Sequence, residues 1–286
     1  MAQTLDLRPS PIAGQWYPGN PKQLADSVDA YIEAGSLPSL EGELVAVMTP
    51  HAGHRYSGPV AGYAFAAMRG LQPELVAVIS PMHYPAHEPL LTSSHDGYST
   101  PLGAIPVDRD AQQALDAYLQ VELNVGLVPV KRDPEHSLEI ELPFLQRALK
   151  NDFRLLPVMV RDTSVRVARG LGKALASVLR ERNSILVAST DLSHFFNQAT
   201  ANLLDMEILR RVEAFAPLEV LRAEEEGVGY ACGRGALAAV LWAAKDLGAD
   251  TVKVLNYATS GDITGDYSQV VGYGAAAILR SSGLKT

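Results

Sequence analysis

Cysteine occurs once in the 286 residues, at Cys232, so no intrachain disulfide can form. That sulfur is either a small buried hydrophobe or a chemical group. Basic residues are outnumbered, 24 Lys and Arg against 32 Asp and Glu, which leaves a net charge of −8. Phosphate backbones select for Lys and Arg patches, so nucleic acid is not an expected partner. No apolar run approaches the roughly 18 residues of a membrane span. Met1 to Arg8 lacks a basic stretch followed by an apolar core, so neither a span nor a secretory signal is expected and the location expected is cytoplasmic. The Walker loop, G-x-G-x-x-G and G-x-S-x-G are all missing, which disfavours a nucleotide-binding enzyme or a serine hydrolase. The acidic loop Ser260 to Tyr267 lacks the spacing and terminal Glu of an EF-hand. Nor is there a long linker, charge run or low-complexity stretch. One domain over residues 1–286 is therefore expected.

What the chain does contain is two nearly identical strand-like runs. Leu44-Val45-Ala46-Val47-Met48-Thr49-Pro50 leads into His51, and Leu75-Val76-Ala77-Val78-Ile79-Ser80-Pro81 leads through Met82 into His83. Short apolar, β-branched runs closed by proline read as central strands of a parallel sheet, because proline cannot donate to the ladder. A third run, Ile185 to Thr190, leads into Asp191-Leu192-Ser193-His194. Ligands of open α/β sheets sit at the carboxyl ends of such strands, so three ends bring imidazole and carboxylate to one rim.

The surrounding pattern alternates. Asn20-Pro21 reads as a helix cap and first helical residue, followed by Leu24, Val28 and Ile32 on one face. The Pro- and Gly-rich opening from Arg8 to Gly19 carries Trp16 and Tyr17 and reads as a docked arm. Helices are expected at 58–68, 111–118, 134–149, 164–180, 201–214, 218–226 and 236–247. Further strands are expected at 121–130, 153–160, 251–256 and 270–279. The fold class is α/β, a mixed or mostly parallel central sheet flanked by helices.

A single strand-end histidine can be structural, but three together point to a metal or acid-base site built from at least two of them. Cys232 precedes Gly233-Arg234-Gly235 and a helix, a setting that favours thiolate. Two imidazoles and a thiolate suit iron, copper or zinc. Asp191 and His194, three residues apart, read as an orienting carboxylate and an acid-base histidine, or as a turn cap and a packed ring. Asp133-Pro134 reads as a helix start, with His136 either supporting the site or capping the surface.

Taken in order, these segments resemble the Memo family, whose bacterial and archaeal members are called AmmeMemoRadiSam system protein B. The resemblance rests on Ala13-Gly14-Gln15-Trp16-Tyr17-Pro18, Pro50-His51-Ala52-Gly53 with Tyr56-Ser57-Gly58, Ser80-Pro81-Met82-His83, Glu135-His136-Ser137-Leu138-Glu139 with Leu142-Pro143-Phe144, Ser189-Thr190-Asp191-Leu192-Ser193-His194, Cys232-Gly233 and Tyr257 to Asp262. It implies a fold similar to the LigB-type class III extradiol dioxygenases, which use non-heme iron. On that template His51, His83 and Cys232 are the metal ligands and His194 is the acid-base catalyst. Trp16 and Tyr56 line the pocket; His136, from its own local reading, is expected as a further substrate-binding residue. A thiolate in place of the dioxygenase carboxylate softens the site and brings copper and zinc into competition with iron. Ring cleavage is therefore not expected. The resemblance also implies a small-molecule or peptide ligand and, for bacterial members, a radical SAM pathway partner. Two other readings fit the same residues: a non-catalytic peptide- or metal-binding module, and Cys232 as a nucleophile paired with His194.

Overall fold

A computed structural model describes residues 5–281; the two ends of the expected 1–286 unit lie outside the described residues. In chain order the first half comprises β1 (Leu7–Arg8), α1 (Pro21–Ala34), β2 (Glu43–Thr49), α2 (His54–Ala67), β3 (Leu75–Pro81), β4 (Leu90–Ser93), β5 (Gly97–Thr100), β6 (Gly103–Pro106), α3 (Arg109–Leu123) and β7 (Leu127–Val130). A short 3₁₀ turn, Glu139–Glu141, leads into α4 (Leu142–Ala148), β8 (Arg154–Val160), α5 (Val165–Leu179), β9 (Ser184–Ser189) and β10 (His194–Phe196). The chain continues through α6 (Gln198–Glu213), α7 (Pro217–Glu225), α8 (Arg234–Asp246), β11 (Thr251–Thr259), α9 (Gly261–Thr264) and β12 (Val270–Arg280).

The main sheet runs in the order β10-β12-β2-β9-β3-β8-β4-β7, with β11 also on β12. Its centre, β2, β9, β3 and β8, is parallel, and β12 joins β2 antiparallel. The sheet is therefore mixed. A separate small sheet, β1-β5-β6, ties the amino-terminal arm to the body. One apolar core joins one sheet face to α3, α5, α6, α7 and α8, and a second joins the other face to α1, α2 and α4. The central strands are covered on both sides, so they read as continuous apolar runs.

Several local expectations hold for the reasons given. The Asn20 side chain accepts from the Gln23 N–H at 3.1 Å, and Leu24, Val28 and Ile32 are buried. Trp16 and Tyr17 sit on a docked arm whose Trp16 carbonyl accepts the His54 N–H at 2.8 Å. Three of the structural expectations fail. The segment after Asp133 is not helical until the 3₁₀ turn at Glu139: Asp133 Oδ1 accepts the Glu135 N–H at 3.2 Å as a cap would, but both carboxylate oxygens are also held by Arg8. The stretch 121–130 is not one strand: α3 runs to Leu123 and turns at Asn124 in a left-handed conformation before β7 begins. Pro81 also stays within β3, paired with Val160, and its carbonyl accepts from Ser137 Oγ at 2.8 Å.

What matters most for the site is strand order. β9 lies between β2 and β3, with Thr49 opposite Ser189 and Ile79 opposite Ala188. The three histidine-bearing ends are thus adjacent.

Candidate metal centre

His51 follows β2 and is 1% exposed. Its backbone N–H donates to Asp191 Oδ1 at 2.7 Å, and its Nδ1 lies 2.8 Å from Ser189 Oγ at the end of β9. His83 follows β3. Its backbone N–H donates to Glu135 Oε2 at 2.5 Å and its Nδ1 lies 3.0 Å from Glu135 Oε1. His136 is in the loop between β7 and the 3₁₀ turn, its Nδ1 3.3 Å from the same Glu135 oxygen. The rings of His83 and His136 stack at 5.0 Å, and His51 meets both edge-on at 5.2 and 5.6 Å. One ring nitrogen from each of the three lies within 4.8 Å of those of the others.

This donor set fits a transition metal. A metal-binding histidine normally uses one ring nitrogen for the ion and donates the other N–H to a protein acceptor. His51 and His83 both have Nδ1 occupied in that way, which leaves Nε2 of each available. Protonation state agrees with the geometry. Burial, reinforced by the neighbouring His83 and His136, holds His51 well below its ordinary range, and burial lowers His136 to about 4. Neutral imidazoles are what a metal needs. Glu135 sits well below the usual carboxylate range: burial opposes ionisation, but His83 and the backbone N–H groups of Ser137 and His83 outweigh it.

Cys232 is beside this cluster. Its Sγ lies 3.1 Å from His51 Nε2 and accepts from the Asp191 N–H at 3.3 Å. Gly233 makes this approach feasible, since a Cβ there would fall 2.4 Å from the Ser189 carbonyl oxygen. The expectation of a thiolate is corrected: burial and the nearby Asp191 push the thiol well above its ordinary range, more than the following helix offsets. The group that converges is His51, His83 and His136, with Cys232 in contact with His51 alone among them.

The expected pairing of Asp191 with His194 is not formed. Asp191 binds the His51 backbone and, buried, is raised to about 7, while His194 Nδ1 lies 2.8 Å from the Leu192 carbonyl. A carbonyl can only accept, so His194 carries its proton on Nδ1 and presents a bare Nε2. Burial lowers its pKa, so that it is neutral at pH 7. Of the expected pocket residues, Trp16 is 37% exposed and packs on His136 with centroids 4.1 Å apart. Tyr56 is exposed on the first turn of α2, with the Arg55 guanidinium 5.9 Å from its ring centroid. Glu135, Ser189 and Glu141 were missed as site residues; Glu135 stood within the quoted motif, but nothing in the sequence says which side chain a loop carboxylate will meet. A surface cleft of about 630 Å³ lies elsewhere, at the amino ends of β3, β8 and β9, lined by Glu74, Arg154 and Asn183 among others.

His54, on the first turn of α2, belongs to the support of the site. It is 2% exposed, its Nε2–H donates to the Ile140 carbonyl at 3.0 Å, and its Nδ1 has no partner among the described residues. Burial lowers it to about 4 despite that carbonyl. The unfolded chain binds this proton near pH 6.5 and the folded chain only near 4, so stability falls as pH drops through that window. By pH 4 the loss from this residue is ~3 kcal/mol. Denaturant titrations at pH 7 and pH 4 are expected to show that extra loss in the parent relative to His54→Gln. Equal losses in the two proteins would refute it.

Compared with known proteins, the chain matches the family described as "Memo-like protein" over residues 8–277. A "MEMO1 family protein" of Nitrosopumilus maritimus is 33% identical over 281 residues, covering 96% of this chain and all of the relative. Another from Thermotoga neapolitana is 34% identical, covering 96% of this chain and 99% of the relative. Among solved structures, an uncharacterized protein from Escherichia coli K12 is similar with a TM-score of 0.52 at 14% identity, covering 81% of this chain and 99% of that one. That likeness is one of fold. No helix among the described residues is long and apolar enough to cross a membrane.

Proposed function

Because this chain belongs to the Memo-like protein family, we propose that it holds one divalent transition-metal ion through His51, His83 and His136 and acts with it on a small ligand admitted beside Trp16. The observation that carries this is the occupation of Nδ1 in both His51 and His83 by protein acceptors, which leaves Nε2 of each as the nitrogen for an ion, that of His51 lying 3.1 Å from Cys232 Sγ. Imidazole donors suit iron, copper and zinc alike, and the motif resemblance to non-heme iron enzymes favours iron. When bound, the ion supplies Lewis acidity or redox chemistry.

The residues around the cluster supply the rest. His194, neutral and with Nε2 bare, is placed to accept a proton from a bound ligand. Trp16 covers His136 and narrows water access on that side. Glu135 fixes the orientation of His83 through two contacts.

A second reading is favoured by the 3.1 Å contact of Cys232 Sγ with His51 Nε2: the sulfur takes the place of His136 in the ligand set. A bound ion can deprotonate a thiol that is otherwise neutral. Anaerobic titration of the full chain with Fe(II) tests the proposal; one equivalent bound supports it and no saturable binding overturns it. Titration with Co(II) separates the readings, since a thiolate-to-cobalt charge-transfer band marks Cys232 as a ligand and its absence leaves the three histidines.

A further inference from the structure

Beneath the metal centre lies a polar cluster that the proposed function does not use. Ser189, Ser137 and Glu141 are all buried, at 0%, 0% and 1% exposure. Ser189 Oγ lies 2.7 Å from the Ser137 carbonyl, 2.9 Å from Glu141 Oε1 and 2.8 Å from His51 Nδ1. Thr49 Oγ1 faces the other Glu141 oxygen at 3.3 Å. Among the described residues no cation pairs with Glu141; burial, reinforced by the like-signed Asp191, raises it well above the carboxylate range.

Proton counting then fixes the hydrogen bonds. A serine hydroxyl has one hydrogen and two acceptor lone pairs. The Ser137 carbonyl can only accept, so it takes the Ser189 hydrogen. Both remaining neighbours must donate: Glu141 gives its carboxyl O–H and His51 gives Nδ1–H. Every buried polar atom in the set is then satisfied, as burial demands. If Ser189 donated to His51 instead, the Ser137 carbonyl would lose its partner and the proton of His51 would move to Nε2, blocking that atom.

We propose that Ser189, held by the Ser137 carbonyl and by Glu141 in its neutral form, is the positioning residue that fixes His51 as the Nδ1–H tautomer and frees Nε2 for the metal. This rests on the metal-binding reading above. The neutral carboxyl serves as a hydrogen-bond donor and carries no charge to the site. An amide of the same shape can do the same work, which distinguishes this arrangement from an ionic one.

The test uses the full chain with ¹⁵N-labelled histidine and, separately, Co(II). In the metal-free parent, His51 is expected to show a single Nδ1–H tautomer. Ser189→Ala is expected to give a tautomer mixture and to lower Co(II) affinity by about 10–100-fold, the usual cost of removing such a partner. Glu141→Gln is expected to keep the single tautomer and to bind Co(II) within about threefold of the parent, because its amide donates to Ser189 while its carbonyl accepts from Thr49. A Ser189→Ala protein with unchanged tautomer and affinity overturns the proposal. So does a Glu141→Gln protein as impaired as Ser189→Ala, which would mean that Glu141 acts as a carboxylate. A parent that binds no Co(II) sinks the metal-binding reading, while the tautomer measurement still judges the positioning.

Discussion

His83→Ala is expected to lower Fe(II) affinity by roughly 100-fold or more while leaving thermal stability close to that of the parent. Removing a mere outer partner of a metal ligand already costs about 10–100-fold, so loss of a ligand costs at least that. His83 suits the test because its side chain is 33% exposed and follows β3 outside both cores. Glu135, left behind, keeps the backbone N–H groups of His83, His136 and Ser137 as donors, so no unpaired charge is created. His51→Ala is a poorer instrument, since a fully buried ring would leave a cavity and confuse loss of metal with loss of fold. Isothermal titration under anaerobic conditions, read beside a melting curve, gives both quantities. Affinity within threefold of the parent would remove His83 from the ligand set.

Arg8→Ala is expected to destabilise the chain by about 3–5 kcal/mol, the cost of breaking a buried ion pair from one side. Arg8 is 1% exposed and its guanidinium contacts Glu139 Oε2 at 2.5 Å, Asp133 at 2.9 and 3.0 Å and the Glu135 carbonyl at 2.6 Å. Burial works against its charge, but Asp133 and Glu139 more than reverse this and keep it protonated. Truncation would leave the Glu139 and Asp133 carboxylates buried without their cation. Arg8→Lys should restore only part of the stability, because an ammonium cannot reproduce the forked contacts to Asp133. The same variant should weaken metal binding, since Arg8 holds the loop that presents Glu135 and His136. Denaturant melts at neutral pH decide the matter, and a loss below about 1 kcal/mol would show that the network is dispensable.

Much of this was legible from local pattern. Proline after an apolar run placed His51 and His83 beyond strands, and Asn20 with Leu24, Val28 and Ile32 defined α1. The loop at 133–138 misled because Asp-Pro is also how helices begin: Asp133 does accept the Glu135 N–H, but a partner 125 residues away, Arg8, holds the same carboxylate and no helix follows there. Cys232 misled for a related reason. A helix start favours thiolate locally, but burial beside Asp191 is a larger effect that no local spacing records.

The sequence by itself therefore determined the α/β class, the strands that end in histidine and the membership of one family, since periodicity and proline are properties of neighbours along the chain. The tertiary structure decided which groups meet. By inserting β9 between β2 and β3 it set Ser189 under His51, and by anchoring the 133–141 segment through Arg8 it brought His136 and Glu135 to the cluster. It also decided which of those groups carry protons, because hydrogen-bond direction and desolvation depend on every element packed around a side chain and not on its position in the chain.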